Sequence, residues 1–220
     1  NCLNFGNPEN QEIMGEFAEC LEGVKEACNF LNYPVVSGNV SFYNGTNKKS
    51  IYPTPVIGGV GLIKKLSSPL SHNFKKANNS IMLIGKTFGH IEQSCFLKEN
   101  YSITDGMPPE INLLNEKNNG ESILNLIDKN LILSAHDISN GGLITALAEM
   151  ALTSNYGAKI HKPKKLTNLF KYFFGEDQAR YIIEIQTQNL PMVEQILREN
   201  NVYYENIGFT QENYFEIEGE

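Results

Sequence analysis

The sequence predicts an α/β or α+β protein in two units, on three observations. Apolar residues recur at helical spacing near the amino end, short β-branched runs alternate with helical stretches after residue 80, and a polar stretch separates the two patterns. With 220 residues and 41% hydrophobic content the chain can bury an ordinary core, which excludes fibrous and disordered classes.

Residues 8–31 read as the first helix. Asn7-Pro8-Glu9 supplies a capping side chain, a proline suited to the first turn and an acid near the positive end of the helix dipole. Ile13, Phe17, Leu21, Val24, Ala27 and Cys28 then fall three and four apart, the stripe of an amphipathic helix. Asn32-Tyr33-Pro34 ends it, and Val35-Val36 is expected to begin a short strand that runs into Gly38. Asn44-Gly45 reads as a turn between extended segments, and residues 56–63, apolar and dotted with glycine, as a buried strand. Residues 67–80 carry a proline and paired asparagines and read as a linker between a first unit, 1–66, and a second, 81–220.

In the second unit, residues 81–84 predict a strand that ends in a turn at Gly85. A helix is expected around 120–129, a strand at 131–135, and an apolar helix at 143–152 after Gly141-Gly142. A strand at 179–185, a helix at 191–200 and closing strands at 203–209 and 214–217 complete the pattern. The alternation predicts a sheet with helices on one face.

A net charge of −7 and an isoelectric point near 5.2 oppose a nucleic-acid footprint, which needs clustered Lys and Arg against phosphates. The one basic run, Lys162-Pro163-Lys164-Lys165, reads as a solvated loop. Apolar runs fall short of the ~20 residues that a membrane span requires. Residue 1 is Asn, with no basic-then-apolar leader behind it, so the sequence reads as beginning inside a longer protein. Cys2, Cys20, Cys28 and Cys95 lack CxxC spacing, which suits a reduced, cytoplasmic compartment. None stands in a turn suited to a glutamine-hydrolysing nucleophile. His72, His90, His136 and His161 are scattered singly, without zinc-ligand spacing.

Three constellations could carry chemistry. In Gly38-Asn39-Val40-Ser41 the glycine permits close approach of a phosphate, Asn offers a neutral oxygen to magnesium and Ser offers a hydroxyl. The same four residues also suit an ordinary polar turn, and spacing alone leaves both readings open. His136-Asp137 could form an acid/base pair, but strand alternation favours a structural role, with Asp137 or Ser139 capping the next helix. Glu176, Asp177 and Arg180 read equally as an internal ion pair or a substrate contact.

Longer motifs narrow the first of these. Asn1-Cys2-Leu3-Asn4-Phe5-Gly6-Asn7-Pro8-Glu9, Pro34-Val35-Val36-Ser37-Gly38-Asn39-Val40-Ser41-Phe42-Tyr43-Asn44 and Pro53-Thr54-Pro55-Val56-Ile57-Gly58 resemble, in order and spacing, the second nucleotide-binding half of the synthetase subunits of phosphoribosylformylglycinamidine synthases. Ala135-His136-Asp137-Ile138-Ser139-Asn140-Gly141-Gly142-Leu143 and Phe174-Gly175-Glu176-Asp177-Gln178-Ala179-Arg180-Tyr181 resemble that family's last domain. The resemblance implies a partial N-terminal-type domain of the aminoimidazole ribonucleotide synthase superfamily over 1–66 and a C-terminal-type αβ domain over 81–220. It implies ATP contacts at Asn1 and Gly38, magnesium at Asn39 and substrate at Ser41.

The reaction it implies converts formylglycinamide ribonucleotide and glutamine-derived ammonia to the amidine at the expense of ATP, in purine biosynthesis. Partners implied are the amino-terminal half of the subunit, a glutaminase and a small accessory subunit. The family's catalytic histidine belongs to the earlier half, so no catalytic residue is assigned here. Many members carry Asp at position 1, where this chain has Asn, which removes a charge and keeps an oxygen acceptor. The segment from Gly85 to Ser94 departs from a more glycine-rich loop, and no ligand is assigned there. An auxiliary nucleotide-binding half, the next cyclo-ligase of the pathway or a small-molecule kinase are the rival readings.

Overall fold

In the computed structural model, residues 1–63, 70–163 and 168–219 are described. The first residues of the expected linker and Lys164 and Lys165 of the basic run lie outside them. The chain divides into two compact units, Asn1–Ser67 and Ser68–Glu220.

In the first unit β1 (Cys2–Asn4) leads to α1 (Gln11–Leu31), followed by β2 (Asn39–Ser41), β3 (Gly45–Thr46), β4 (Lys49–Ser50) and β5 (Thr54–Val56). The helix begins three residues after its expected start, because Asn7 and Asn10 cap in succession. Asn7 Oδ1 accepts from Glu9 N at 2.9 Å in a turn of its own, and Asn10 Oδ1 accepts from Glu12 N at 2.9 Å as the true cap. The half-buried positions of α1 are Ile13, Phe17, Cys20, Val24, Ala27 and Cys28, the stripe read from the sequence except that Leu21 faces out.

Three other expectations for this unit are corrected. The strand after α1 starts at Asn39, not Val35, because only residues 39–41 find ladder partners on β1. The turn expected at Asn44-Gly45 falls at Asn47 and Lys48, whose positive φ values, 53° and 64°, close the two-residue hairpin between β3 and β4. The expected strand over 56–63 is not formed: the strand here is Thr54–Val56, which pairs with β1 in the register Val56 to Cys2, and residues 57–63 are not extended ladder. Val60 and Leu62 are accordingly 86% and 88% exposed.

The second unit is a six-stranded sheet. Its elements are β6 (Ser80–Ile84), α2 (Cys95–Tyr101), α3 (Leu113–Asp128), β7 (Ser134–Asp137), α4 (Gly142–Leu152), β8 (Tyr156–Ile160), α5 (Leu169–Phe174), β9 (Tyr181–Ile185), α6 (Leu190–Glu199), β10 (Tyr204–Glu212) and β11 (Phe215–Ile217). The strand order is β11-β8-β10-β6-β9-β7, antiparallel except for the β11–β8 edge. Helices cover both faces, not one. Ile81 and Leu83 of β6 pack with Leu143, Leu147 and Met150 of α4 and Phe173 of α5, while Met82 and Ile84 pack with Leu126 of α3 and Val193 and Leu197 of α6. That double cover is why β6 is buried at every position and reads as a continuous apolar run.

In the expected linker, the described residues 70–79 are seated on the second unit. Phe74 is 1% exposed, and Glu184, fully buried on β9, gathers the rest: its carboxylate accepts from Lys75 N (2.8 Å), Lys76 N (3.2 Å), Asn79 Nδ2 (2.6 Å) and Ser134 Oγ (2.9 Å). A buried charge is tolerable when its lone pairs are all engaged in this way. Glu184→Ala should lower the unfolding free energy by about 3 kcal/mol or more, because it strands several buried donors at once. Urea unfolding measures it.

At the start of β10, the Tyr203 hydroxyl donates to Glu205 Oε1 at 2.5 Å. That hydrogen bond, with burial and the Glu205 charge adding to it, pushes its pKa from 10.0 up to about 12. A raised folded pKa means the contribution is whole below pH 10.0 and is lost as pH climbs through about 12. Tyr172 and Tyr181 are raised too, chiefly by burial, so ultraviolet titration should show several late-ionising tyrosines, of which Tyr203→Phe removes the one near pH 12.

Candidate functional site

The first unit's site is built on a parallel strand pair. β1 and β2 align Cys2 with Asn39, Leu3 with Val40 and Asn4 with Ser41. Alternation then puts Cys2, Asn4, Asn39 and Ser41 on one face, and Leu3 on the other. Leu3 and Phe5 are buried at 2% and 0%, and the Phe5 ring meets Phe17 of α1 at 5.2 Å. One face is therefore core and the other is a polar surface.

The backbone brings three of the four expected residues together. Asn1 N donates to Ser37 O at 3.0 Å, and Asn39 N donates to Asn1 O at 3.0 Å. Gly38 lies against the Asn1 amide: a Cβ at Gly38 would stand 2.9 Å from Asn1 Cγ, so any larger residue would displace the Asn1 side chain. Asn39 is exposed, and its Oδ1 takes no hydrogen bond from the described residues. Ser41 stands two residues further along the same face. Its Oγ receives Asn44 Nδ2 at 3.0 Å, and the same amide donates to Ser41 O at 2.9 Å and to Phe5 O at 3.1 Å. Asn44, read from the sequence as a turn residue, is thus the clamp on Ser41; its only signal was an amide next to glycine.

Among the described residues no group of three or more His, Cys, Asp or Glu side chains gathers as a metal centre. A cation here would therefore depend on few protein oxygens. Asn39 Oδ1 fits Mg²⁺, which keeps water and takes phosphate oxygens for most of its shell.

The second unit's motifs turn inward. Glu176 Oε1 accepts from Gly141 N at 2.7 Å and from Cys95 N at 2.8 Å, so the amino end of α4 is capped by Glu176 and not by Asp137 or Ser139 as expected. Gly141 stands at the cap position with no side chain, which leaves its N–H to a distant acid. Asp177 accepts from Phe88, Gly89 and His90 N–H groups, and Arg180 donates to Gly175 O (2.6 Å), Asp177 O (3.2 Å) and Thr87 Oγ1 (3.2 Å). Burial lowers the Arg180 pKa, and the neighbouring Asp177 charge opposes that. Burial, reinforced by the Glu176 charge, raises the Cys95 thiol, which keeps it from acting as a thiolate. His136 lies within 3.3 Å of Asp137 Oδ1 and 3.0 Å of Glu149 Oε2, so the adjacent acid is within reach despite strand alternation.

A parallel-paired polar strand edge followed by an inward-braced mixed sheet defines a class. Residues 1–63 match the AIR synthase related protein N-terminal domain and residues 76–217 its C-terminal domain, and the chain belongs to that family. Within it, the chain is similar to the phosphoribosylformylglycinamidine synthase subunit PurL of Pelagibacter ubique: 54% identical over 213 residues, 97% of this chain and 29% of that relative. The PurL subunit of a Bradyrhizobium species is 44% identical over 99% of this chain and 30% of its own length. The chain thus spans less than a third of these relatives. Among solved structures, Thermotoga maritima PurL complexed with FGAR shares the fold at a TM-score of 0.73 and 14% identity, covering 98% of this chain and 36% of that one.

Glu176→Ala should release two amides and leave the sheet intact. Hydrogen exchange at Cys95 and Gly141 is expected to speed up about tenfold or more, since each loses a charge-assisted bond, while β6 amides stay slow. Unchanged protection at both would refute the bracing role.

Proposed function

We propose that this chain is part of the synthetase subunit of a phosphoribosylformylglycinamidine synthase. That ligase uses ATP to convert formylglycinamide ribonucleotide and ammonia to the amidine. Asn1 and Gly38 contact ATP, Asn39 binds Mg²⁺ and Ser41 binds substrate. The observation that supports it most is the β1–β2 register, which sets an open amide oxygen and a clamped hydroxyl two residues apart on one polar face, next to the Asn1–Gly38 contact. The 54% identity to a PurL subunit and the likeness to structures of T. maritima PurL complexed with ATP and with FGAR point the same way.

The task is phosphoryl transfer, in which positioning and charge stabilisation supply most of the catalysis. When bound, Mg²⁺ neutralises charge on the nucleotide phosphates. Gly38 offers backbone with no side chain in the way, and the pinned Asn39 backbone holds its amide oxygen at a set height above the strand. Asn44 fixes the Ser41 hydroxyl by accepting from it at Oδ1 (3.2 Å) and donating to it from Nδ2 (3.0 Å). The remaining wall of the site, with its catalytic histidine, comes from the amino-terminal half of the subunit. Ammonia comes from a glutaminase partner, with a small accessory subunit in the cytoplasmic assembly. No helix among the described residues is long and apolar enough to cross a membrane.

Steady-state kinetics of the whole subunit separate this reading from an auxiliary nucleotide site. Asn39→Ala should lower kcat/KM for amidine formation about 100-fold, as loss of one electrostatic contact to the transferring group does. Ser41→Ala should raise KM for the ribonucleotide about tenfold, one hydrogen bond's worth, and leave KM for ATP unchanged. Normal rates in both variants would assign the segment to a non-catalytic role. The 220-residue chain alone is expected to make no amidine.

A further inference from the structure

Three consecutive backbone amides in the turn after β6 converge on one carboxylate. Phe88 N and Gly89 N donate to Asp177 Oδ2 at 3.0 and 2.9 Å, and His90 N donates to Oδ1 at 3.1 Å. Gly89 has φ 78°, and a Cβ there would come within 2.9 Å of Lys171 Cβ, so this curl of backbone requires glycine. Successive N–H groups curled around a left-handed residue make an anion-binding concavity. Arg180 adds a full positive charge. Its side chain is wholly buried, and one guanidinium nitrogen lies 3.9 Å from Asp177 Oδ2.

We propose that the amides of Phe88, Gly89 and His90, with the Arg180 guanidinium, form an oxyanion site for a carboxylate or phosphate-type group, and that its resident anion is the chain's own Asp177 carboxylate. The anion arrives from 87 to 89 residues away in sequence, so the turn is not closing on a neighbour. As a tethered ligand Asp177 has a high effective concentration, and free anions do not displace it at modest levels. Shortening Asp177 leaves three donors and a buried cation facing a vacancy the size of a carboxyl group. A buried guanidinium that loses its nearest counter-charge, with only the charge of Glu176 left beside it, is unfavourable, which favours uptake of an anion from solution.

Amide NMR of the 220-residue chain, titrated with formate and separately with inorganic phosphate, tests this. In Asp177→Ala, formate is expected to shift the signals of Phe88, Gly89 and His90 saturably, to leave those of β6 in place and to raise Tm. The unsubstituted chain is expected to show no response at those three amides. A response to formate alone supports a carboxylate-sized site, and a response to phosphate as well supports one that also admits a tetrahedral anion. A folded Asp177→Ala in which neither anion moves the three amides overturns the proposal, as does an equal response in the unsubstituted chain. Should Asp177→Ala not fold, refolding by either anion supports the site, and Asp177→Asn decides the rest. Its neutral carboxamide should move the three amide protons upfield while β6 signals stay; unmoved amides overturn the proposal.

Discussion

A carboxylate withdrawn from water must find donors, and the second unit is organised around three that find them largely on the backbone. Glu184 ties the segment entering β6 to β9 and β7, Asp177 fixes the turn after β6, and Glu176 joins the start of α2 to the start of α4. Each replaces lost hydration with hydrogen bonds to groups that would otherwise be orphaned themselves. Among the described residues no buried side-chain nitrogen or oxygen is left without a partner. The consequence is rigidity in loops, where backbone is ordinarily mobile.

The first unit follows another logic. Its strands are two or three residues long and no residue of α1 is fully buried, so backbone pairing, more than packing, sets the positions of its polar residues. Asn39 is fixed through its own N–H to Asn1, and Ser41 through Asn44. Val36 and Val60 are left 87% and 86% exposed.

What was legible in the sequence was local. The α1 stripe, the β6 run and the apolar α4 each announce themselves within about ten residues, and the helix and strand periods alone found them. Boundaries slipped where two side chains compete for one job, as Asn7 and Asn10 do. The short α5 and the glycine-containing β8 went unread, having too little periodicity of their own. That helices cover both faces of the sheet was hidden, since a continuous apolar strand does not say what covers it. Glu176, Asp177 and Arg180 were visible as a charged cluster, but their partners lie up to 93 residues away, and no spacing rule reaches that far. The proposed segment of Asn1, Gly38, Asn39 and Ser41 rests on ordered motifs, whereas the turn-forming chemistry of Asn44 masks its hold on Ser41.

In the proposed function, one polar face of the β1–β2 pair is a wall of an ATP, magnesium and substrate site. A crystal structure of the whole subunit with a non-hydrolysable ATP analogue, Mg²⁺ and formylglycinamide ribonucleotide tests it most directly. Asn39 Oδ1 is expected at about 2.1 Å from a magnesium ion and Ser41 Oγ within hydrogen-bond distance of the ribonucleotide. A metal and substrate bound with no ligand from either residue would contradict it.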